Sequence, residues 1–193
     1  MHFNEHYSLK DKHAFLSASK YSWLRYSKDQ LKSAYLKAQA KERGTALHKL
    51  AAEMVRLGVK AMRSKKTFYS YVNDVIGYRM NCEQLLYYSP YAFGTADAIA
   101  FDERDRKLLI FDLKTGETPA HMDQLKIYAA LFCLEYRYVP ESIDVELRIY
   151  QSDTIIIDTP APDEISDIMC KIKEASEVLA EMDSEVPKED FFK

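Results

Sequence analysis

Cysteine is scarce in this chain and badly placed for cross-linking. Its three residues, Cys82, Cys133 and Cys170, are scattered, odd in number and never in C-x-x-C spacing. That excludes a disulfide framework and a zinc ribbon, and it fits free thiols in a reducing cytoplasm. Long hydrophobic runs are also missing. The longest uninterrupted one, Ile127 to Leu134, falls far short of the ~20 residues a membrane helix needs. The opening residues MHFNEHYSLK have no apolar centre of the kind a secretory signal carries, and residues 1–13 read as polar and irregular. No repeat and no low-complexity linker interrupts the chain.

What remains is ordinary globular material. The 193 residues are 47% hydrophobic and 30% charged, enough to bury one sizeable core. We therefore expect a single domain over 1–193, in three parts. Residues 1–78 form a mainly helical N-terminal part, 79–160 a sheet core, and 161–193 a closing helix and tail. The net charge of −3 conceals a strong polarity. Residues 20–66 carry 13 Lys/Arg against 3 Asp/Glu, a local balance of +10, whereas residues 139–193 carry 5 against 15, a balance of −10. A one-sided polyanion-binding surface produces such a division, and so does a pair of solvated helix faces.

The richest stretch is Phe93 to Tyr128. Two apolar runs, Ala98–Phe101 and Leu108–Phe111, flank the polar cluster Asp102-Glu103-Arg104-Asp105 and read as a hairpin whose second strand is buried on both faces. Asp97 and Asp112 stand at its edges. Asp112 and Lys114, two apart on one strand, share a face. Gln124 and Tyr128, four apart, share a face of the helix that follows, Met122 to about Tyr136. Two ionised carboxylates converging on one place repel, and a divalent cation relieves this; Mg²⁺ suits one or two carboxylates plus water and phosphate oxygens.

Elsewhere, Lys28 to Arg43 reads as a helix, closed by Gly44 at C′ and followed by a second helix capped by Thr45. The apolar stripe of that second helix runs through Leu47, Leu50, Ala51, Met54, Leu57, Gly58 and Ala61, with His48 beside it. Tyr21, Trp23 and Tyr26 around Lys20 and Arg25 fit helix packing better than base stacking. Residues 64–78 have no clear pattern. Cys82–Tyr88 reads as a strand pairing with 92–101, in which Glu83 faces solvent more readily than a metal. Ser142–Gln151 alternates as a half-buried strand, Thr154–Ile157 is a short partner, and Pro162-Asp163 opens a helix buried through Ile165, Ile168, Met169, Ile172, Val178 and Leu179.

Four blocks carry a family resemblance: Gly44-Thr45-Ala46-Leu47-His48, Gly94-Thr95-Ala96-Asp97, Asp112-Leu113-Lys114-Thr115-Gly116 and Gln124-Leu125-Lys126-Ile127-Tyr128. In this order they resemble the RecB-like branch of the PD-(D/E)XK nuclease superfamily, with a weaker likeness at Leu16-Ser17-Ala18-Ser19. The resemblance implies an α/β fold with a restriction-endonuclease-like core, a central mixed β-sheet flanked by helices, and a helical N-terminal region. It implies a metal-dependent DNA nuclease in which His48, Asp97, Asp112 and the backbone carbonyl of Leu113 hold Mg²⁺ or Mn²⁺. Lys114 would act on the attacking water, with Gln124 and Tyr128 completing the catalytic group. No iron–sulfur cluster is expected, because the C-terminal cysteines of the CRISPR-adaptation relatives have no counterpart here.

The branch suggests an exonuclease in DNA recombination, repair or phage DNA processing, cytoplasmic or in the host cytoplasm if phage-encoded. A strand-annealing protein or further copies of the chain are its candidate partners. The alternatives are a structure-selective endonuclease, a CRISPR-adaptation-type trimming enzyme, or a DNA-binding or regulatory module on the same fold without turnover. Lys28, Lys32, Lys41, Arg43 and Lys49 are the candidate phosphate contacts. Replacing them with alanine should flatten the salt dependence of DNA binding by about 0.9 in log–log slope for each phosphate no longer neutralised; a titration of affinity against salt measures it.

Overall fold

A computed structural model describes residues 7–9, 14–116 and 118–185; the tail 186–193 and most of the polar opening 1–13 lie outside the described residues. The chain divides into two compact units, Met1–Thr45 and Ala46–Lys193. The first contains short 3₁₀ turns at Tyr7–Leu9 and Ala18–Arg25 and the opening part of helix α1, Lys28–Arg56. Within it the ring of Phe15 meets that of Tyr35 edge-on at 5.2 Å, and Trp23 Nε1 donates to the Ser17 carbonyl (3.1 Å). Tyr21 and Tyr26 are exposed rather than packed away.

α1 corrects the expectation of two helices. It passes unbroken through Gly44, and the Thr45 hydroxyl, instead of capping a new helix, donates back to the Lys41 carbonyl (3.1 Å). A glycine inside a helix costs about 1 kcal/mol, which flanking helix formers can outweigh, and a threonine hydroxyl bonded one turn back is a common alternative to capping.

The second unit is an α/β arrangement built on a five-stranded mixed sheet flanked by helices. Its strands are β1 (Asn81–Ser89), β2 (Ala92–Asp102), β3 (Lys107–Lys114), β4 (Asp144–Gln151) and β5 (Thr154–Asp158), in spatial order β1-β2-β3-β4-β5. β1 and β2 form the expected hairpin around Pro90-Tyr91, β2 and β3 a second one, and β4 and β5 a third. β3 and β4 run parallel, joined by helix α3, Asp123–Tyr136.

Helix placement follows from side-chain alternation. Leu108 and Ile110 of β3, with Val145, Leu147 and Ile149 of β4, point to one face. There they meet α3 through Leu125, Ala129 and Phe132, and helix α4 (Pro162–Glu185) through Ile165. α3 is apolar nearly all round because it lies between the sheet and α4. The apolar stripe of α4 is covered through Ile165, Ile168, Met169 and Ile172, and Ser176 is buried beyond it; Val178 and Leu179, expected inside, are exposed.

Leu109, Phe111 and Leu113 point to the opposite face. They pack with Tyr71, Val72 and Val75 of α2 (Thr67–Gly77), the segment without a clear sequence pattern, and with Ala51 and Met54 of α1. Leu50 and Leu57 of the expected stripe are exposed instead. Among the described residues no helix is long and apolar enough to cross a membrane.

Phe111 shows how the second face is closed. Its ring is fully buried, edge-on to Tyr78 at 5.6 Å and tilted to Tyr150 at 5.7 Å, with the Arg148 guanidinium 4.7 Å from its centroid. Arg148 is in turn held by Glu146, and Tyr150 donates to Asp74 (2.7 Å). Phe111→Ala should cost about 3–5 kcal/mol through the cavity it opens and the aromatic packing it removes, lowering the melting temperature by roughly 10 °C, as calorimetry would register.

Candidate active site

β2 and β3 do not stay paired to their ends. Their register runs from Asp102–Lys107 to Ala98–Phe111 and stops, although β2 continues back to Ala92 and β3 forward to Lys114. Where the ladder ends, the Asp97 side chain takes the place of a backbone acceptor: the Leu113 N–H donates to Asp97 Oδ2 at 3.0 Å. The same oxygen lies 3.2 Å from His48 Nδ1 on α1. One carboxylate thus joins two strands and a helix. Since N–H and C=O of one strand residue point toward the same neighbour, the Leu113 carbonyl is directed to this gap as well.

Asp112 and Lys114 project to the α3 face. Lys114 Nζ donates to Asp112 Oδ1 (3.1 Å) and to Gln124 Oε1 (2.8 Å), and Gln124 Nε2 donates to the Tyr128 hydroxyl (2.9 Å). Gly94 makes room for this chain, because a Cβ there would stand 2.9 Å from Tyr128 Cε1. The acid, lysine, glutamine and tyrosine of the two later sequence blocks therefore form one hydrogen-bonded series, and Gly94 of the earlier block has a steric reason.

The electrostatics are unbalanced. Asp112 is only 2% exposed. Lys114 Nζ comes within 3.0 Å of its Oδ2, but without hydrogen-bond geometry, so among the described residues this buried oxygen has no hydrogen-bond donor. Burial, and then the charge of Asp97, push the Asp112 carboxyl above its ordinary range, with Lys114 and His48 opposing. His48 is raised above the usual imidazole value, first by its hydrogen bond to Asp97 against the effect of burial, with Asp112 and Glu83 adding to the rise. A buried carboxylate oxygen without a donor among the described residues, within electrostatic reach of a second carboxylate and an imidazole, belongs to the kind of donor set that suits a divalent cation.

His48, Asp97, Asp112 and Leu113 are brought together, but as two pairs: His48 turns to Asp97 and Asp112 to Lys114. Among the described residues no three His, Cys, Asp or Glu side chains grip a common point as they stand. Of the candidate phosphate contacts, Lys28, Lys32, Lys41 and Arg43 are exposed on the α1 stretch of the first unit, and Lys49 is exposed in the second.

Two residues gain importance from the structure. Glu83 stands opposite Asp97, between the paired Cys82–Ala98 and Gln84–Ala96, in a left-handed conformation with φ +52°. Such a backbone is uncommon for glutamate and costs roughly 1–3 kcal/mol. Side-chain alternation inverts at this point: Ala96 faces α3 while Ala98, two residues on, faces α2. No local feature of the sequence marks this position.

Gln151, buried at the end of β4, clamps the loop between β3 and α3. Its Nε2 donates to the carbonyls of Gly116 (2.6 Å) and Thr118 (2.7 Å), and its Oε1 accepts from Ala120 N–H (3.0 Å). The only signal for it was a polar residue closing an apolar strand.

The sign of the Asp112 shift leads to a test. A raised carboxyl pKa means that the ionised form is disfavoured in the folded protein, so its destabilising effect is absent at low pH and grows as pH rises past the ordinary value. At neutral pH Asp112→Asn should therefore raise the melting temperature of the metal-free protein. The native chain should gain roughly 5–10 °C with Mn²⁺ at a hundred times its dissociation constant, and the variant should gain almost nothing; thermal melts with and without Mn²⁺ measure both.

No family model matches the chain, and no curated protein or solved structure matches it significantly.

Proposed function

We propose that this chain is a metal-dependent deoxyribonuclease of the RecB-like PD-(D/E)XK type, with a restriction-endonuclease-like core, acting as a cytoplasmic exonuclease. The observation that carries the reading is the meeting of two acids where β2 and β3 part: Asp97 on His48 and the Leu113 amide, and Asp112 buried with one oxygen lacking a donor among the described residues. A lysine two residues after the second acid, set by a glutamine and a tyrosine from the next helix, completes the group the resemblance implies. The mixed sheet flanked by helices agrees with it.

Asp97, Asp112, His48 and the Leu113 carbonyl would hold Mg²⁺ or Mn²⁺. Such an ion polarises a phosphoryl oxygen and lowers the pKa of water bound to it, which makes hydrolysis feasible at neutral pH. The chain's own part is positional and electrostatic. In hydrolysis a water oxygen bonds to phosphorus, the bond to the leaving sugar oxygen breaks, and negative charge grows on the non-bridging oxygens. Lys114 Nζ, fixed between Asp112 and Gln124, offers a hydrogen bond to that charge or to the attacking water. The water's proton must pass to a nearby base, and the Lys114–Asp112 pair supplies the adjacent acceptor. Gln124 holds the ammonium in place, and Tyr128 holds the orientation of Gln124.

End-labelled linear and covalently closed circular DNA, each with Mg²⁺, Mn²⁺ or EDTA, provide the test. Linear DNA should be degraded from its ends only with metal present. Lys114→Ala and Asp112→Asn should lower the rate at least ~10²-fold, in line with losing one transition-state donor. Their affinity for DNA in EDTA should stay within about twofold of the native chain, a change of under ~0.5 kcal/mol. Retention of cleavage in either variant would remove the assignment, and cleavage of the circle would make the enzyme an endonuclease.

A further inference from the structure

On the sheet face opposite α3, the outer half of the β1–β2 hairpin carries three large apolar side chains that no core cluster includes. Tyr87 is 45% exposed, Leu85 51% and Phe93 59%. Tyr87 and Phe93 are cross-strand partners, as are Leu85 and Thr95, and partners across an antiparallel pair share a face. The two rings lie 6.4 Å apart and within 26° of parallel.

This face also bears the first of the two acids. Gly94 faces α3, since its missing Cβ would touch Tyr128, so Phe93 and Thr95 point the other way. Asp97 is next in that alternation, and it meets His48 on α1, the helix that packs on this second face through Ala51. Phe93, Thr95 and Asp97 thus line one side of β2 in sequence. At ~3.3 Å per residue the aromatic end lies about 13 Å along the strand from the acid, a span of about four stacked nucleotides at ~3.4 Å each.

We propose that Tyr87 and Phe93 form a stacking platform for the unpaired bases of a single-stranded end, whose scissile phosphate lies at Asp97 and Asp112. The proposal rests on the nuclease reading and narrows its substrate to single-stranded nucleic acid. A duplex keeps its base faces covered by neighbouring pairs, whereas an unpaired strand presents them to aromatic side chains irrespective of sequence. Thr95, exposed between platform and acid, places a hydroxyl where the connecting backbone would run, and such hydroxyls are common phosphate contacts. A cross-strand aromatic pair also stabilises a hairpin by itself, so the test must separate stacking from folding.

The experiment measures anisotropy of a labelled oligothymidylate, an abasic strand of equal length and a blunt duplex, all in EDTA. The proteins are the full native chain, the Tyr87→Leu/Phe93→Leu double variant and Phe93→Trp. Leucine keeps the apolar area and removes the π-face. The native chain should prefer oligothymidylate to the abasic strand. The double variant should lose about tenfold or more in affinity for oligothymidylate, with duplex and abasic binding unchanged and the melting temperature lowered by no more than about 4 °C, and Phe93→Trp should retain the native preference.

Equal oligothymidylate affinity in the native chain and the double variant would overturn the proposal. So would a native self-association that the double variant abolishes, which would make the patch a protein interface. Metal-dependent cleavage by the native chain is scored in parallel. Cleavage with unaltered binding in the double variant overturns the platform and leaves the nuclease standing; base-dependent binding without cleavage does the reverse.

Discussion

Everything at the candidate site depends on one substitution of partners in the sheet. Where the β2–β3 ladder stops at Ala98–Phe111, the Leu113 amide would be left without an acceptor, and a buried amide without one is costly. The Asp97 carboxylate fills that need and, in the same position, reaches His48. A structural requirement of the sheet thereby fixes an acid at the mouth of a gap between strands. Asp112, one residue before that amide, is carried into the same gap from the other face of β3.

The two faces of the sheet contribute unlike things. From the α3 side come the lysine, the glutamine and the tyrosine, linked by hydrogen bonds and given space by Gly94. From the α1 side come the imidazole and, toward the turn of the β1–β2 hairpin, the aromatic pair. The inversion of alternation at Glu83 and Asp97 lets one strand serve both sides. Without it, the phase that buries Ala98 against α2 would have turned Asp97 toward α3.

Much of this was legible in the sequence because it rests on short-range geometry. The period of two in β3 and β4, the apolar burst of 108–111 and the four-residue spacing of Gln124 and Tyr128 each encode a direction, and the structure follows them. The pairing of Cys82–Tyr88 with 92–101 was readable too, and the short partner at Thr154–Ile157 pairs with the strand before it. What escaped reading depends on context. Gly44 marks a helix end by propensity, yet the helix continues through it. α2 hides its buried residues Tyr71, Val72 and Val75 among polar neighbours, and the exposed Leu50, Leu57, Val178 and Leu179 follow helical spacing without a surface to meet. The left-handed turn at a glutamate has no local signature, and neither has the pairing of His48 with Asp97 rather than with both acids.

The Gln151 clamp has a consequence for how the molecule would respond to what it binds. With the Gly116 and Thr118 carbonyls and the Ala120 amide all held by one buried side-chain amide, anything that displaced these groups on binding would have to break buried hydrogen bonds. The clamp thereby sets a cost on shifting the chain just beyond Lys114, and with it on shifting the Asp112–Lys114 pair that precedes it.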